Sequence, residues 1–248
     1  MTDAVGVSEL SLMNDMLHLD IISNNLANAN TAGYKRDIVV TNHFDAVLND
    51  AISISATDIW PSGQADPFPR VHRITDSSSG ALNYTGNPLD MAIEGDAFFE
   101  LMDSGRVRYS RQGAFTMDSA GRLVNSSGLV VSGEEGEILL HGGEVTIDRQ
   151  GNVHEDGEYA GRMKLMAFKD LSALTKVGSG MWAAPAGVMG QWADDAQVRQ
   201  GYVESSNVKT MEEMVRMMTT LRHFETTANV IKGYDEMMNT AISTIAEF

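Results

Sequence analysis

Apolar residues at the start of the chain recur with a helical period on two faces instead of one. At about 100° per residue, Leu10, Met13, Leu17 and Ile21 fall on one line, and Val5, Leu12, Met16, Leu19, Ile22 and Leu26 fall on the opposite line. Ser11, His18 and Asn25 occupy one flank between the lines, Glu9 and Asp20 the other. A surface helix carries a single apolar stripe, so two opposed stripes predict a helix that is packed on both sides. The pattern stops between Asn28 and Gly33, where Asn and Gly tolerate the left-handed conformation that ends helices. Asn24, Asn25 and Asn28 fall within the last two turns, where Asn is a poor helix former. Three amides there predict side-chain hydrogen bonds to a neighbouring backbone.

The far end repeats the helical period with a different spacing. Met217, Phe224, Ile231, Met238 and Ile245 recur every seventh residue, and Met214, Leu221, Ala228, Asp235 and Ile242 form a second series displaced by three. This is an a/d heptad pattern, interrupted at Asp235. Thr210 and Glu213 fit the Ser/Thr-x-x-Glu capping box and place the helix start at Thr210. Val230, Tyr234, Met237 and Ala241 add an opposite apolar line in the second half. Methionine, unbranched and adaptable, is frequent throughout.

Between the ends the period changes to short strands. Candidates are Asp90–Ile93, Phe98–Met102, Val107–Ser110, Ala114–Met117, Arg122–Asn125, Glu144–Ile147 and Met163–Phe168. Turn signals ending at Gly105, Gly121, Gly128 and Gly151 separate several of them, the pattern of an all-β barrel or sandwich. A weak internal echo links 116–123 with 146–153, each a strand, an Asp-opened turn closed by Gly, and a second strand. Hairpin chemistry alone produces such an echo. Pro61, Pro67, Pro69 and Gly63 predict an extended connector before the β region, and 178–201 looks similar on the return.

The expected fold is therefore α+β, with long N- and C-terminal helices forming a coiled-coil-like pair and an all-β, barrel- or sandwich-like domain inserted on extended arms. The expected boundaries are 1–33 for the N-terminal helix, 34–73 for the outgoing connector, 74–175 for the β domain, 176–209 for the returning connector and 210–248 for the C-terminal helix. Each helix has more apolar surface than one partner covers. The residues expected to make subunit contacts are Leu10, Leu12, Met13, Met16, Leu17, Leu19, Asn24, Asn25, Leu26 and Asn28 at one end. At the other they are Met214, Met217, Leu221, Phe224, Ile231, Met238, Ile242 and Ile245.

Composition narrows the partners. The formal charge of -16 over 248 residues argues against nucleic acid, which is bound through clustered Lys and Arg, and against anionic lipid surfaces. No apolar run approaches the roughly 20 residues that span a bilayer, so no direct membrane insertion is expected. The N-terminus lacks the basic and apolar regions of a cleaved signal peptide. There is no cysteine, which excludes disulfides and thiolate metal sites.

Candidate chemistry is sparse. His18, His43, His72, His141, His154 and His223 are scattered, without HExxH spacing. No GxSxG motif or P-loop occurs. Gly178-Ser179-Gly180 lacks the third glycine and βαβ context of a dinucleotide loop. Glu94 and Asp96 flank Gly95 in an expected hairpin turn, where solvated turn residues are the default. Neither an enzyme nor a cofactor is expected. The two classes left are a self-assembling structural subunit and a monomeric β-domain binding module with a private helical hairpin.

Three segments carry a family resemblance. Ser23-Asn24-Asn25-Leu26-Ala27-Asn28 followed by Thr31-Ala32-Gly33-Tyr34-Lys35 resembles the N-terminal motif of the bacterial flagellar rod and hook axial proteins. The run from Thr85, TGNPLDMAIEGDAFFE, with Tyr109-Ser110-Arg111-Gln112-Gly113-Ala114-Phe115, resembles that family's β domain. Gly201-Tyr202-Val203-Glu204-Ser205-Ser206-Asn207-Val208 with Glu212-Glu213-Met214-Val215 resembles its C-terminal motif, departing from it at Ser205, where Gly is common. The short chain and Pro88-Leu89-Asp90 look most like the proximal-rod members, with distal-rod or other hook and rod proteins as the alternative. The resemblance implies a structural subunit of the flagellar basal-body rod, in the periplasmic space. It implies export by the flagellar type III apparatus without a cleaved leader, and helical stacking through the terminal helices. The implied partners are other rod proteins, further copies of the chain and, during secretion, the export apparatus.

Overall fold

The computed structural model describes residues 2–41, 71–169, 171–178, 180–193 and 195–246. The connector expected around Pro61, Gly63, Pro67 and Pro69 lies outside the described residues. The chain divides into two compact units. A helical unit comprises Met1–Leu26, Asp37–Ile74 and Thr210–Phe248, and a β unit comprises Ala27–Arg36 and Thr75–Lys209. Among the described residues, two α-helices and a large β-rich central region make the fold α+β.

In the helical unit, α1 spans Thr2–Ala27 and α2 spans Thr210–Ala246. Strands β1 (Asp37–Thr41) and β2 (Val71–Thr75) pair with each other. Two side-chain contacts set the direction of the helices. Asn25 donates to Glu213 Oε2 at 3.5 Å, and His223 Nδ1 meets Asp15 Oδ2 at 2.7 Å. The ten residues from Asn25 back to Asp15 match the ten from Glu213 forward to His223, so the helices run antiparallel. Asn25 also grips the backbone of Asp37 in both directions, donating to its carbonyl at 2.8 Å and accepting from its N–H at 2.9 Å. A buried amide thus imitates a strand partner and turns the chain back along α1, because backbone groups buried there need partners. Neither described helix is long and apolar enough to cross a membrane.

The β unit opens with β3 (Leu82–Tyr84), β4 (Met91–Glu94), β5 (Ala97–Asp103) and β6 (Arg106–Ser110). Then come β7 (Phe115–Met117), β8 (Leu123–Asn125), β9 (Val130–Gly133) and β10 (Gly136–Glu137). Next are β11 (Val145–Ile147), β12 (Asn152–Glu155), β13 (Glu158–Arg162) and β14 (Leu165–Ala167). The returning segment contains β15 (Thr175–Gly178), β16 (Met181–Ala183), β17 (Gln191–Trp192), β18 (Gln197–Gln200) and β19 (Tyr202–Glu204).

Among the described residues the main sheet runs β15-β16-β6-β5-β9-β8-β7, with β14 also pairing with β5 and β17 with β14. Strand β18 pairs antiparallel with β4, and β19 with β3, so the last strands of the unit close back on its first. Central β5 is an unbroken apolar run at its start because both its faces are covered. Ala97, Phe99 and Leu101 enter the larger core with Met91, Phe115 and Leu165, whereas Phe98 faces a smaller one with Tyr109, Leu174 and Trp182. Edge-to-face ring contacts serve both sides, with centroids 5.1 Å apart for Phe99–Phe115 and for Phe98–Trp182.

Three hairpin turns share one device. Asp118 Oδ1 accepts from the N–H groups of Ala120 and Arg122, Asn125 Oδ1 from Ser127 and Leu129, and Asp148 Oδ1 from Gln150 and Asn152. In each, the glycine three residues after the Asx residue has φ near +80°, which glycine adopts without a Cβ penalty. The echo between 116–123 and 146–153 is this turn chemistry. Its third occurrence, at Asn125, lies outside the echo, as hairpin chemistry without duplication would have it.

Candidate functional site

Two segments from opposite ends of the chain meet inside the β unit. Gly33-Tyr34-Lys35-Arg36 follows the turn after α1, and Glu204-Ser205-Ser206-Asn207 begins at the last residue of β19. The Gly33 N–H donates to the Glu204 carbonyl at 2.7 Å, and the Asn207 N–H to the Tyr34 carbonyl at 3.3 Å. Asn207 Oδ1 accepts from the Arg36 N–H at 2.7 Å, while its amide nitrogen donates to the Asp76 and Ser78 carbonyls. One asparagine side chain therefore joins three separate segments.

A buried ion triad lies at the centre. Lys35 Nζ is 2.6 Å from Glu204 Oε1 and Arg111 Nε is 3.0 Å from Glu204 Oε2, with all three side chains at 4% exposure or less. Each member makes at least one further hydrogen bond to backbone. Lys35 donates to the Ser78 carbonyl at 2.8 Å, Glu204 Oε1 accepts from the Gly80 N–H at 2.9 Å, and Arg111 Nη1 donates to the Gly95 and Ala97 carbonyls. Removing ions from water costs several kcal/mol each, which close pairing and additional hydrogen bonds offset. Burial holds the Lys35 amine below the ordinary lysine value, with the Glu204 carboxylate opposing that shift. Lys176 closes the outside, donating to the Lys35 carbonyl at 2.6 Å and lying 5.0 Å from the centre of the buried Tyr34 ring.

Several carboxylates around the β unit are held below their ordinary range. Asp118 owes this first to the Arg122 N–H and Glu155 to the Gly143 N–H. For Asp148 and Asp76, burial pushes upward, but hydrogen bonds from Asn152 and Gln150, and from Ser78 and Arg36, pull them lower still. A carboxylate depressed in the folded state contributes stability that is present above its unfolded pKa, near 4, and is lost as pH falls through the folded value. The melting temperature is therefore expected to stay level on acidification until about pH 4 to 5 and then to drop. Glu155→Gln should make that drop shallower, as followed by circular dichroism.

The expected subunit-contact residues fall into three groups. Met13, Met16, Asn24, Met214, Leu221 and Met238 are exposed. Leu10, Leu12, Leu17, Leu19, Leu26, Asn28, Met217, Phe224 and Ile231 are half-buried, and Asn25 is buried in its node with Asp37. The side chains of Ile242 and Ile245 lie outside the described residues. Of the three amides, Asn25 makes the long-range backbone bonds, whereas Asn28 accepts locally from the Thr31 hydroxyl at 3.3 Å. Sequence reasoning isolated the motifs around Lys35 and Glu204 but not the triad. Its one signal was a lone carboxylate in the strand Tyr202–Glu204 and basic residues inside motifs of a strongly acidic chain.

The fold and this junction define an α+β protein in which motifs from the two ends of the chain are locked together inside the β unit. Known proteins share that organisation in sequence. Residues 12–35 match the flagella basal body rod protein family, 92–155 the flagellar hook protein FlgE/F/G D1 domain, and 199–244 the flagellar basal body rod FlgEFG protein C-terminal family. The chain is 30% identical to the flagellar basal-body rod protein FlgF of Caulobacter vibrioides, over 92% of each protein. It is 29% identical to FlgF of Rhizobium meliloti over 92% of this chain and 91% of that one. With FlgG of Buchnera aphidicola it shares 29% identity, over 96% of this chain and 98% of that protein. The chain belongs to the flagellar basal-body rod protein family.

Proposed function

We propose that this protein is a structural subunit of the bacterial flagellar basal-body rod, of the proximal-rod kind, which self-assembles through its terminal helices. Its helices act as a coiled-coil-like pair that further copies and other rod proteins cover, forming a periplasm-spanning shaft and channel. The β region, barrel- or sandwich-like, is carried on the arms between them, and the flagellar type III apparatus exports the subunit. The observation that carries this reading is apolar surface the chain leaves open. Met13 and Met16 on α1, and Met214, Leu221 and Met238 on α2, are all more than 40% exposed. Apolar side chains left open at helical spacing suit faces that partner helices cover, and methionine suits neighbours of slightly different shape. Similarity to FlgG at nearly the same identity supports a distal-rod subunit as the second reading.

Leu221 offers the direct test. Leu221→Asp places a charge on the exposed heptad face of α2, and it is expected to abolish rod assembly and swimming while the circular dichroism of the β strands is kept. Normal swimming by this variant would mean that the helices form a private hairpin, and the protein would then be a monomeric binding module.

A further inference from the structure

The β unit carries a knob and a groove that cannot meet within one chain. The groove, about 300 Å³, is lined by Pro88, Leu89, Met117, Leu140, Glu144 and Val145. Leu89 and Val145 rest on the larger core, the one that holds Phe99. Its rim is preformed. The Glu155 carboxylate accepts from the His141 and Gly143 N–H groups at 2.7 Å each, and Asp156 accepts from the Glu144 N–H at 2.9 Å. The knob is Met189, 87% exposed, the highest value for a large hydrophobic residue among the described residues. It stands between β16 and β17 on a turn closed by the Val188 N–H and the Pro185 carbonyl at 3.1 Å. Gly190 seats that turn so closely on Phe168 and Met166 that an added Cβ would lie 3.0 to 3.2 Å from them. Phe168 and Met166 pack on the smaller core, the one that holds Phe98. Knob and groove thus belong to opposite faces of β5.

The chain itself supplies a knob for the groove, and charge opposes a second copy least at these two places. Two chains of formal charge -16 repel each other, and contact is least opposed where charge is lowest. The segment 184–191, APAGVMGQ, has no charged residue, and Glu144 is the single charged residue lining the groove. A knob and groove at different places on identical molecules make a heterologous contact, which propagates as a ring or a helix.

We propose that Met189 of one copy enters the groove beside Met117 on the next, a head-to-tail contact between β units that repeats along the assembly. This rests on the self-assembling reading above and names the surface through which β units meet. Because the chain contains no cysteine, single thiols report the contact cleanly. Full-length Met189→Cys and Met117→Cys proteins, prepared separately, are mixed, concentrated, pelleted and treated with a short bis-maleimide. A cross-linked dimer is expected in the mixture and in neither variant alone, and a separate Met189→Asp protein, without the thiols, should fail to pellet under conditions where Met189→Leu protein pellets. A pellet without the cross-link overturns the groove contact and leaves the subunit reading standing, whereas no pellet at any concentration overturns both. Shielding of the Met117→Cys thiol from maleimide in cells, with no cross-link to the Met189→Cys partner, would assign the groove to a different protein and also overturn the proposal.

Discussion

Replacing Glu204 by glutamine is expected to destabilise the protein by about 3–5 kcal/mol, the usual cost of removing one member of a buried ion pair. The substitution keeps shape and most hydrogen-bonding atoms, so the loss reports charge. Lys35 and Arg111 would be left as two buried cations with no carboxylate between them, 4% and 3% exposed. Urea unfolding of the full chain should show a midpoint lower by more than about 1 M, given slopes of roughly 1–3 kcal/mol per M. Replacing all three members together, Lys35→Met, Arg111→Met and Glu204→Leu, should recover much of the loss, because apolar side chains of similar volume satisfy a buried site about as well as ions. A Glu204→Gln shift below about 1 kcal/mol, the worth of a surface ion pair, would show that the junction is hydrated and that its charges are not a lock.

The second large effect is expected at Gly33, where the chain leaves the α1 turn for the junction. Its φ is +66°, and a Cβ there would come inside 3.0 Å of the Arg111 carbonyl carbon and the Gln112 nitrogen. Gly33→Ala therefore combines left-handed strain, about 1–3 kcal/mol, with displacement of the backbone that carries Arg111. Gly105→Ala is the matched control, since φ is +87° but nothing lies within 4 Å of the added carbon. Gly33→Ala should destabilise markedly more than Gly105→Ala and should weaken the Lys35–Glu204–Arg111 contact along with the turn. Equal effects at the two positions would reduce Gly33 to a simple helix stop, and the close approach to Arg111 would carry no energy.

The sequence was most legible where structure is local. The capping box of Thr210 and Glu213 places a helix start at Thr210, and α2 begins there. The Asn-rich stop places the end of α1 between Asn28 and Gly33, and the helix ends slightly earlier, at Ala27, leaving Asn28 in the following turn. Glycine-closed turns at Gly121, Gly128 and Gly151 separate strands within a residue or two of the expected positions, because each turn is specified by an Asx side chain bonding its own following backbone. The return path shows the opposite case. The segment read as a returning connector, 176–209, carries β16 to β19 among its described residues, and these strands pair with β6, β14, β4 and β3. Nothing in a short polar segment names the distant strand whose open edge it will fill.

By itself, then, the sequence determined the α+β layout, the two terminal helices, the turn positions and the family motifs, since helical period, alternation and turn chemistry act over a few residues. Only the tertiary structure decided that Lys35 and Glu204, 169 positions apart, share one buried ion triad with Arg111. It likewise decided that Asn25 serves as backbone partner to Asp37 and that Phe98 and Phe99, neighbours in the chain, belong to two different cores. Charges become partners, and adjacent side chains become strangers, when the folded chain excludes water between particular surfaces. That exclusion is a property of three-dimensional packing and leaves no periodic mark on the sequence.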